Sequence, residues 1–142
     1  MRTISLLACI LLLVGCRGSN PTMENQYPNL DEQFQLKVGQ SATIDNGQLS
    51  FSFDSVPSDS RCPEGAMCVW AGDAMVVLKY YTEDGMDTLH TYLEPKSIAH
   101  GNYQIRLLLL SPYPKVPQRI FPNDYIAKFI VTRDWRQRLG KS

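Results

Sequence analysis

From Phe34 onward, apolar residues recur at every second position. Phe34, Leu36 and Val38 alternate with Gln35 and Lys37, and Leu49, Phe51 and Phe53 alternate with Ser50 and Ser52. Val76, Leu78 and Tyr80 share one parity, as do Leu89, Thr91 and Leu93. Tyr103, Ile105, Leu107 and Leu109 alternate with Gln104 and Arg106; Tyr125, Ala127, Phe129 and Val131 alternate with Ile126 and Lys128. Successive side chains of a strand point to opposite faces, so this period predicts strands with one buried face. Turn chemistry separates them. "DNG" at 45–47 lies between "SATI" and "QLSFSF" and predicts a hairpin. "EDGMD" at 83–87 and "HGN" at 100–102 mark two more turns. No window carries a sustained 3.6-residue period with caps, so little helix is expected. About seven strands at short intervals predict an all-β fold over residues 32–133, an antiparallel β-sandwich that is Ig-like or a related barrel. The segment 111–123, "SPYPKVPQRIFPN", holds four prolines. Proline cannot donate to a ladder, so an extended crossover between the last two strands is expected; a proline-rich partner motif is the alternative.

The first residues bear on the address. Ile4 to Val14 is apolar except for Ser5, and Arg2 precedes it. Such a run is too short to span a bilayer, which needs about 20 residues. It reads as the apolar core of a secretory signal. Leu13-Val14-Gly15-Cys16 resembles the bacterial lipoprotein signal, in which a leucine and two small residues precede a cysteine. The resemblance implies that residues 1–15 are a cleaved signal peptide and that Cys16 is acylated as the first mature residue. Each buried methylene contributes roughly 0.8 kcal/mol, so several acyl chains hold firmly where one does not. The expected partner is therefore the membrane, through an N-terminal lipid. Arg17, not Asp, follows the anchor, and the same resemblance then favours the outer membrane. Residues 16–31, rich in Ser, Asn and Pro, read as the lipidated Cys and a flexible tether.

Composition narrows the partners. The formal net charge is zero, and it becomes −1 once Arg2 leaves with the signal. Phosphate binding needs a clear basic excess, so nucleic acid is not expected. Cys9 leaves with the signal and Cys16 takes lipid, so Cys62 and Cys68 remain as an even pair in an oxidising compartment. Five residues separate them, and Pro63-Glu64-Gly65 supplies turn chemistry between them. Zinc wants four ligands, and the histidines lie far off at His90 and His100. A redox pair usually has two intervening residues and a helix. A structural disulfide is expected, with no metal and no cofactor.

Trp70 lies two residues after Cys68, and on a strand those side chains would share a face. It is either a core tryptophan packed on the disulfide or an exposed aromatic anchor presented by a rigid clip. Asp59 and Arg61 flank the clip and can hydrogen-bond its backbone or each other. Glu64, Ala66 and Met67 are the expected exposed tip. Arg61, Glu64, Met67 and Trp70 are thus the candidate binding residues. The stretch "DSRCPEGAMCVWAG" resembles a motif of small uncharacterised bacterial lipoproteins. In them "DSRCP", a short loop and C-x-W-A-G follow a first hairpin. The later "L-x-P-Y-P" and "Y-x-x-x-F-x-V" extend the resemblance over most of residues 32–132. It implies a lipid-anchored β domain and no particular activity.

Catalytic signatures are missing: there is no G-x-S-x-G, H-E-x-x-H or phosphate-cradling glycine loop. His90 is expected on a solvated strand face and His100 in a turn. Asp84 and Asp87 fit the turn around Gly85 better than acid–base work. No EF-hand spacing supports calcium. The basic run "RDWRQRLGKS" reads, over 134–142, as a solvated tail, with contact to anionic headgroups or a partner as the alternative. The expected function is a non-catalytic, lipid-anchored binding module at the cell envelope. It would contact an unknown envelope protein or small ligand through loops 61–68 and 112–123. Three alternatives make distinct demands. An assembly lipoprotein needs a continuous exposed apolar patch. An enzyme needs a concave polar pocket with shifted groups. An inhibitor of an envelope hydrolase needs a stiff, projecting clip.

A 62–68 disulfide closes a loop of about seven residues, which on the chain-entropy argument is worth about 2 kcal/mol. The double variant Cys62→Ser, Cys68→Ser should lose that much stability in urea unfolding and keep its β-type circular dichroism. An unchanged unfolding midpoint would show that the bond does not constrain the chain.

Overall fold

The computed structural model describes residues 24–81 and 85–134. The signal, Cys16 and the run from 135 onward lie outside the described residues. Among the described residues nine strands form: β1 (Asn25–Gln26), β2 (Gln33–Lys37), β3 (Ser41–Ile44), β4 (Leu49–Asp59), β5 (Ala74–Tyr80), β6 (Met86–His90), β7 (Ser97–His100), β8 (Tyr103–Ser111) and β9 (Ile126–Arg133). They make two sheets, β1-β3-β4-β5-β6 and β2-β9-β8-β7, packed as an all-β sandwich. Every pairing is antiparallel except that of β1 with β3. The strands expected from the alternation are present. The short strands β1 and β7 carry too few residues to show a period.

Antiparallel order sorts the connections between two ends. The links β2–β3, β4–β5, β6–β7 and β8–β9 lie at one end, here called the clip end. The links β3–β4, β5–β6 and β7–β8 lie at the other. The β3–β4 hairpin turns on Asp45 and Asn46, both with positive φ, as the "DNG" signal requires. His100 and Tyr103 close the β7–β8 hairpin around Gly101-Asn102.

The inward faces meet around Phe129. Its ring lies 6.0 Å from Phe34 of its own sheet, and 5.9 and 6.3 Å from Phe51 and Phe53 of the facing sheet. Edge-on packing of this kind adds about 0.5–1.5 kcal/mol per pair beyond area burial. The far end is closed by polar contacts. The Tyr103 hydroxyl donates to Asp45 at 2.5 Å, Arg133 pairs with the same carboxylate at 2.6 Å, and His100 stacks on Tyr80 at 3.7 Å. His100 is therefore a stacked ring at a strand end and not a free turn residue. Asp87 sits within β6 and accepts the Tyr80 hydroxyl at 2.9 Å, so it is not a turn residue either.

Three further expectations are corrected. Residues 24–31 lie along the domain and are not tether: Asn25 donates to Thr43 and the Asp31 amide bonds the Val131 carbonyl. Strand β6 stops at His90, whose amide bonds the Pro95 carbonyl, and the turn leaves Leu93 exposed. In β8 a bulge between Leu107 and Leu109 shifts the register. One extra residue reverses the parity beyond it. Leu110 is thus the core residue at 2% exposure, and Leu109 faces out at 52%.

The bulge can be read by mutation. Leu110→Ala should cost about 2–5 kcal/mol, as for a buried leucine, and Leu109→Ala should stay within about 0.5 kcal/mol, as for a surface site. Chemical denaturation of the two variants checks this; equal losses would place both residues in the core.

Candidate functional site

The clip occupies residues 60–73, between β4 and β5. Cys62 and Cys68 are bonded, with Cα atoms 5.9 Å apart. A turn runs from Pro63 to Ala66, closed by the Ala66 amide on the Pro63 carbonyl. Gly65 occupies its third position with φ +87°, which glycine adopts without steric cost. None of residues 65–73 belongs to a strand, so the parity argument that paired Trp70 with Cys68 does not apply. Trp70 is 83% exposed, and Val69 and Met67 beside it are exposed too. Trp70 is not a core residue.

Two polar clusters, one buried and one half-buried, brace this loop. At its start, Arg61 is only 7% exposed. Its Nε and Nη2 donate to the two carboxylate oxygens of Asp59 at 2.8 and 2.6 Å. Its Nη1 donates to the Leu110 carbonyl at 2.7 Å, and Nη2 also reaches the Pro112 carbonyl at 2.9 Å. The Tyr113 ring lies 5.1 Å from the guanidinium carbon. The Tyr125 hydroxyl completes the cluster by donating to Asp59 at 3.0 Å. Burial raises the Asp59 pKa, but the bonds and charge of Arg61, with the Tyr125 hydroxyl, outweigh it and hold the group below its ordinary value. Burial, then the bond and charge of Asp59, push Tyr125 up to about 12. Arg61 reads in the sequence as a contact residue, but its donors are spent inside the protein, on Asp59 of β4, Leu110 of β8 and Pro112 just beyond it.

At the loop's end, Asp73 does the same work. Its carboxylate accepts from the Thr91 hydroxyl at 3.0 Å and the Tyr92 amide at 2.8 Å, and lies 2.5 Å from His90 Nδ1. His90 is therefore half-buried against Asp73 and not on a solvated face. Burial raises the Asp73 pKa, yet the bonds from His90, the Tyr92 amide, Thr91 and the Leu93 amide bring it to about 2. The Ser60 amide and hydroxyl both bond the Asp73 carbonyl, which pins the two ends of the loop together. Gly72, with φ +68°, lies so close that an added Cβ would sit 1.9 Å from the Ser60 oxygen.

The clip is also zipped to the proline-rich connection. The Glu64 amide bonds the Pro114 carbonyl, and the Val116 amide bonds the Glu64 carbonyl. Glu64 and Lys115 pair at 2.9 Å, but both are exposed, and such pairs contribute little. Loops 61–68 and 112–123 thus form one platform at the clip end. A cleft of about 300 Å³ opens beside it, lined by Gly72, Tyr92, Leu108, Leu109 and Tyr113 over Arg61. Among the described residues, no group of three or more His, Cys, Asp or Glu could hold a metal ion.

No family model, curated protein or solved structure matches this chain. The platform is therefore read from its own chemistry. Of the candidate residues, Glu64, Met67 and Trp70 share an exposed surface, and Arg61 supports it from beneath. Cys16 lies outside the described residues. Asp73 is not legible as a site residue in the sequence: the Gly-Asp pair before a strand signals a turn, but nothing local shows that it gathers the 90–93 segment.

The Asp73 cluster has a signed pH dependence. A carboxylate whose folded pKa lies below its unfolded value of 3.8 stabilises the fold fully above about pH 4 and progressively less as pH falls towards 2. The shift corresponds to about 2 kcal/mol. Unfolding measured from pH 5 to 2 should show this loss, and Asp73→Asn should flatten that part of the curve. Equal slopes in both proteins would remove Asp73 from the acid response.

Proposed function

We propose that this chain is a lipid-anchored bacterial envelope protein of the small-lipoprotein type, held on the outer membrane by acylated Cys16. Its β-sandwich acts as a non-catalytic binding module. One observation carries the binding reading: a loop fixed by a disulfide and two polar clusters nonetheless leaves Met67 and Trp70 almost wholly exposed. Rigid presentation of a large side chain lowers the ordering cost of contact, which is the property of a preorganised contact surface. A second reading, as an assembly lipoprotein, draws support from apolar residues exposed in the neighbouring connections as well, among them Tyr92, Leu93 and Phe121. Both readings place the contact at the clip end.

Anchor and contact surface are tested separately. Cys16→Ser should abolish incorporation of labelled palmitate and shift the protein from the membrane to the soluble fraction. Retained labelling would refute acylation at Cys16. A benzophenone photocrosslinker at position 67 should capture envelope material in cells, and one at position 46, at the far end, should capture little. A single stoichiometric protein adduct from position 67 would favour assembly. Equal capture from both positions would remove the clip end as the contact surface.

A further inference from the structure

The topology fixes which end of the sandwich lies nearest the anchor. Strand β1 pairs parallel with β3, with Asn25 opposite Ser41 and Gln26 opposite Ala42. Strand β3 runs away from the clip end towards the 45–48 hairpin. A parallel neighbour runs the same way, so the chain joins the domain from the clip-end side. Side-chain contacts agree. Glu24 accepts from Gln40 in the β2–β3 link, and the Val38 amide in that link bonds the carbonyl of Tyr125, whose hydroxyl reaches Asp59 at the foot of the clip.

The leash is short. Eight residue steps separate Cys16 from Glu24. Whatever their conformation, they span at most about 29 Å, at about 3.6 Å per residue. Strand β4 alone, with 11 residues, is about 36 Å long at about 3.3 Å per residue. An anchor attached near the clip end therefore holds that end close to the bilayer, and the far end can reach the same surface only at the limit of the leash.

The two ends differ in chemistry. Tyr27, Tyr81 and Met86 apart, every large apolar side chain exposed among the described residues lies in the clip-end connections or at the Leu108–Leu109 bulge beside them. Trp70 and Tyr92 are aromatic, and Lys96, Lys115 and Arg119 stand among them, Lys115 paired with Glu64, Lys96 beside Glu94 with its Nζ 5.8 Å from the Tyr92 ring centre. At the far end the β3–β4 and β7–β8 hairpins instead present Asp45, Asn46, Gly47, Gly101 and Asn102, and the exposed Tyr81 and Met86 flank the β5–β6 link. Tryptophan and tyrosine with flanking Lys and Arg are the side chains that settle at the boundary between headgroups and acyl chains. Their apolar bodies leave water there, and their polar tips keep hydrogen bonds.

We infer that the clip end faces the bilayer and seats Trp70, Met67 and Val69 in the interfacial layer of the membrane that holds the anchor. The inference rests on the proposed acylation of Cys16, and it names lipid as the contact partner. The far-end hairpins then point away from the membrane.

The test uses the full lipidated protein in phosphatidylethanolamine–phosphatidylglycerol vesicles with brominated acyl chains, which quench nearby indoles. Trp135→Phe leaves Trp70 as the single tryptophan. Its emission should shift to the blue and fall about twofold relative to unbrominated vesicles, as for an indole at the headgroup–acyl boundary. A reporter at the far end, Asn46→Trp with Trp70→Phe and Trp135→Phe, should show no loss. Co-flotation with the vesicles is measured in the same samples. Protein that floats but leaves Trp70 unquenched would overturn the inference with the anchor intact, and would return the clip to a protein partner. Equal quenching of the two reporters would also overturn it. Protein that fails to float would refute the anchor, and this inference would fall with it.

Discussion

The pairing of Arg61 with Asp59 holds the clip end together. Moving two charges out of water costs several kcal/mol per ion, and a buried pair survives only when its remaining donors and acceptors are satisfied. Here they are. The guanidinium meets both carboxylate oxygens and two carbonyls, and the carboxylate also accepts the Tyr125 hydroxyl. The partners come from β4, β8 and the residue before β9, so the cluster ties one sheet to the other where the hydrophobic interior stops. An apolar filling could be as stable, but it would not dictate how the carbonyls of Leu110 and Pro112 sit against the loop. The ion pair fixes register, and the proline-rich connection takes its position from it.

The second cluster turns a fixed root into a fixed loop. Asp73 draws in the 90–93 segment, and Ser60 clasps the Asp73 carbonyl. With the disulfide between them, the intervening residues lose most of their freedom before any partner arrives. This explains how Trp70 can stay exposed on a loop whose two ends are pinned. A flexible loop with the same residues would bury Trp70 on itself or lose affinity to ordering on contact. The pH sensitivity of Asp73 belongs to the same design: the contacts that place the loop depend on a carboxylate that stays ionised.

Legibility followed the range of the interactions. Phe34, Leu36, Phe51, Phe53, Phe129 and Val131 were readable as core because strand parity is local, and the hairpins at 45–47 and 100–102 were readable because turn chemistry is local. The outward turn of Leu109 is not legible in the sequence, because a bulge is one residue of difference between two strands, visible only once both are paired. Trp70 was ambiguous because its parity had meaning only on a strand, and its segment is not one. Arg61 read as a contact residue because flanking position is visible in sequence, whereas the carbonyls that absorb its donors lie about fifty positions away. His90 likewise has its partner seventeen residues back, across a loop. The pattern of hydrophobic positions settles which face is buried; it says nothing about which polar side chains will be drawn under a loop.

The end at which the chain enters the domain depends on the smallest strand of the fold. Strand β1 has two residues, and its backbone pairing with β3 contributes little to stability. Its direction still carries the geometric consequence. Antiparallel pairing with β3 would bring the chain in at the hairpin end, and under the proposed acylation of Cys16 a leash of about 29 Å would then hold that end against the membrane. Parallel pairing brings the leash and the exposed aromatic platform to one end. The side chains around β1 reinforce that choice, since Asn25 and Thr43 exchange hydrogen bonds and Gln40 reaches Glu24. A weak strand suffices here because it need not hold the domain together. It has only to aim the chain, and the covalent length of the leash does the rest.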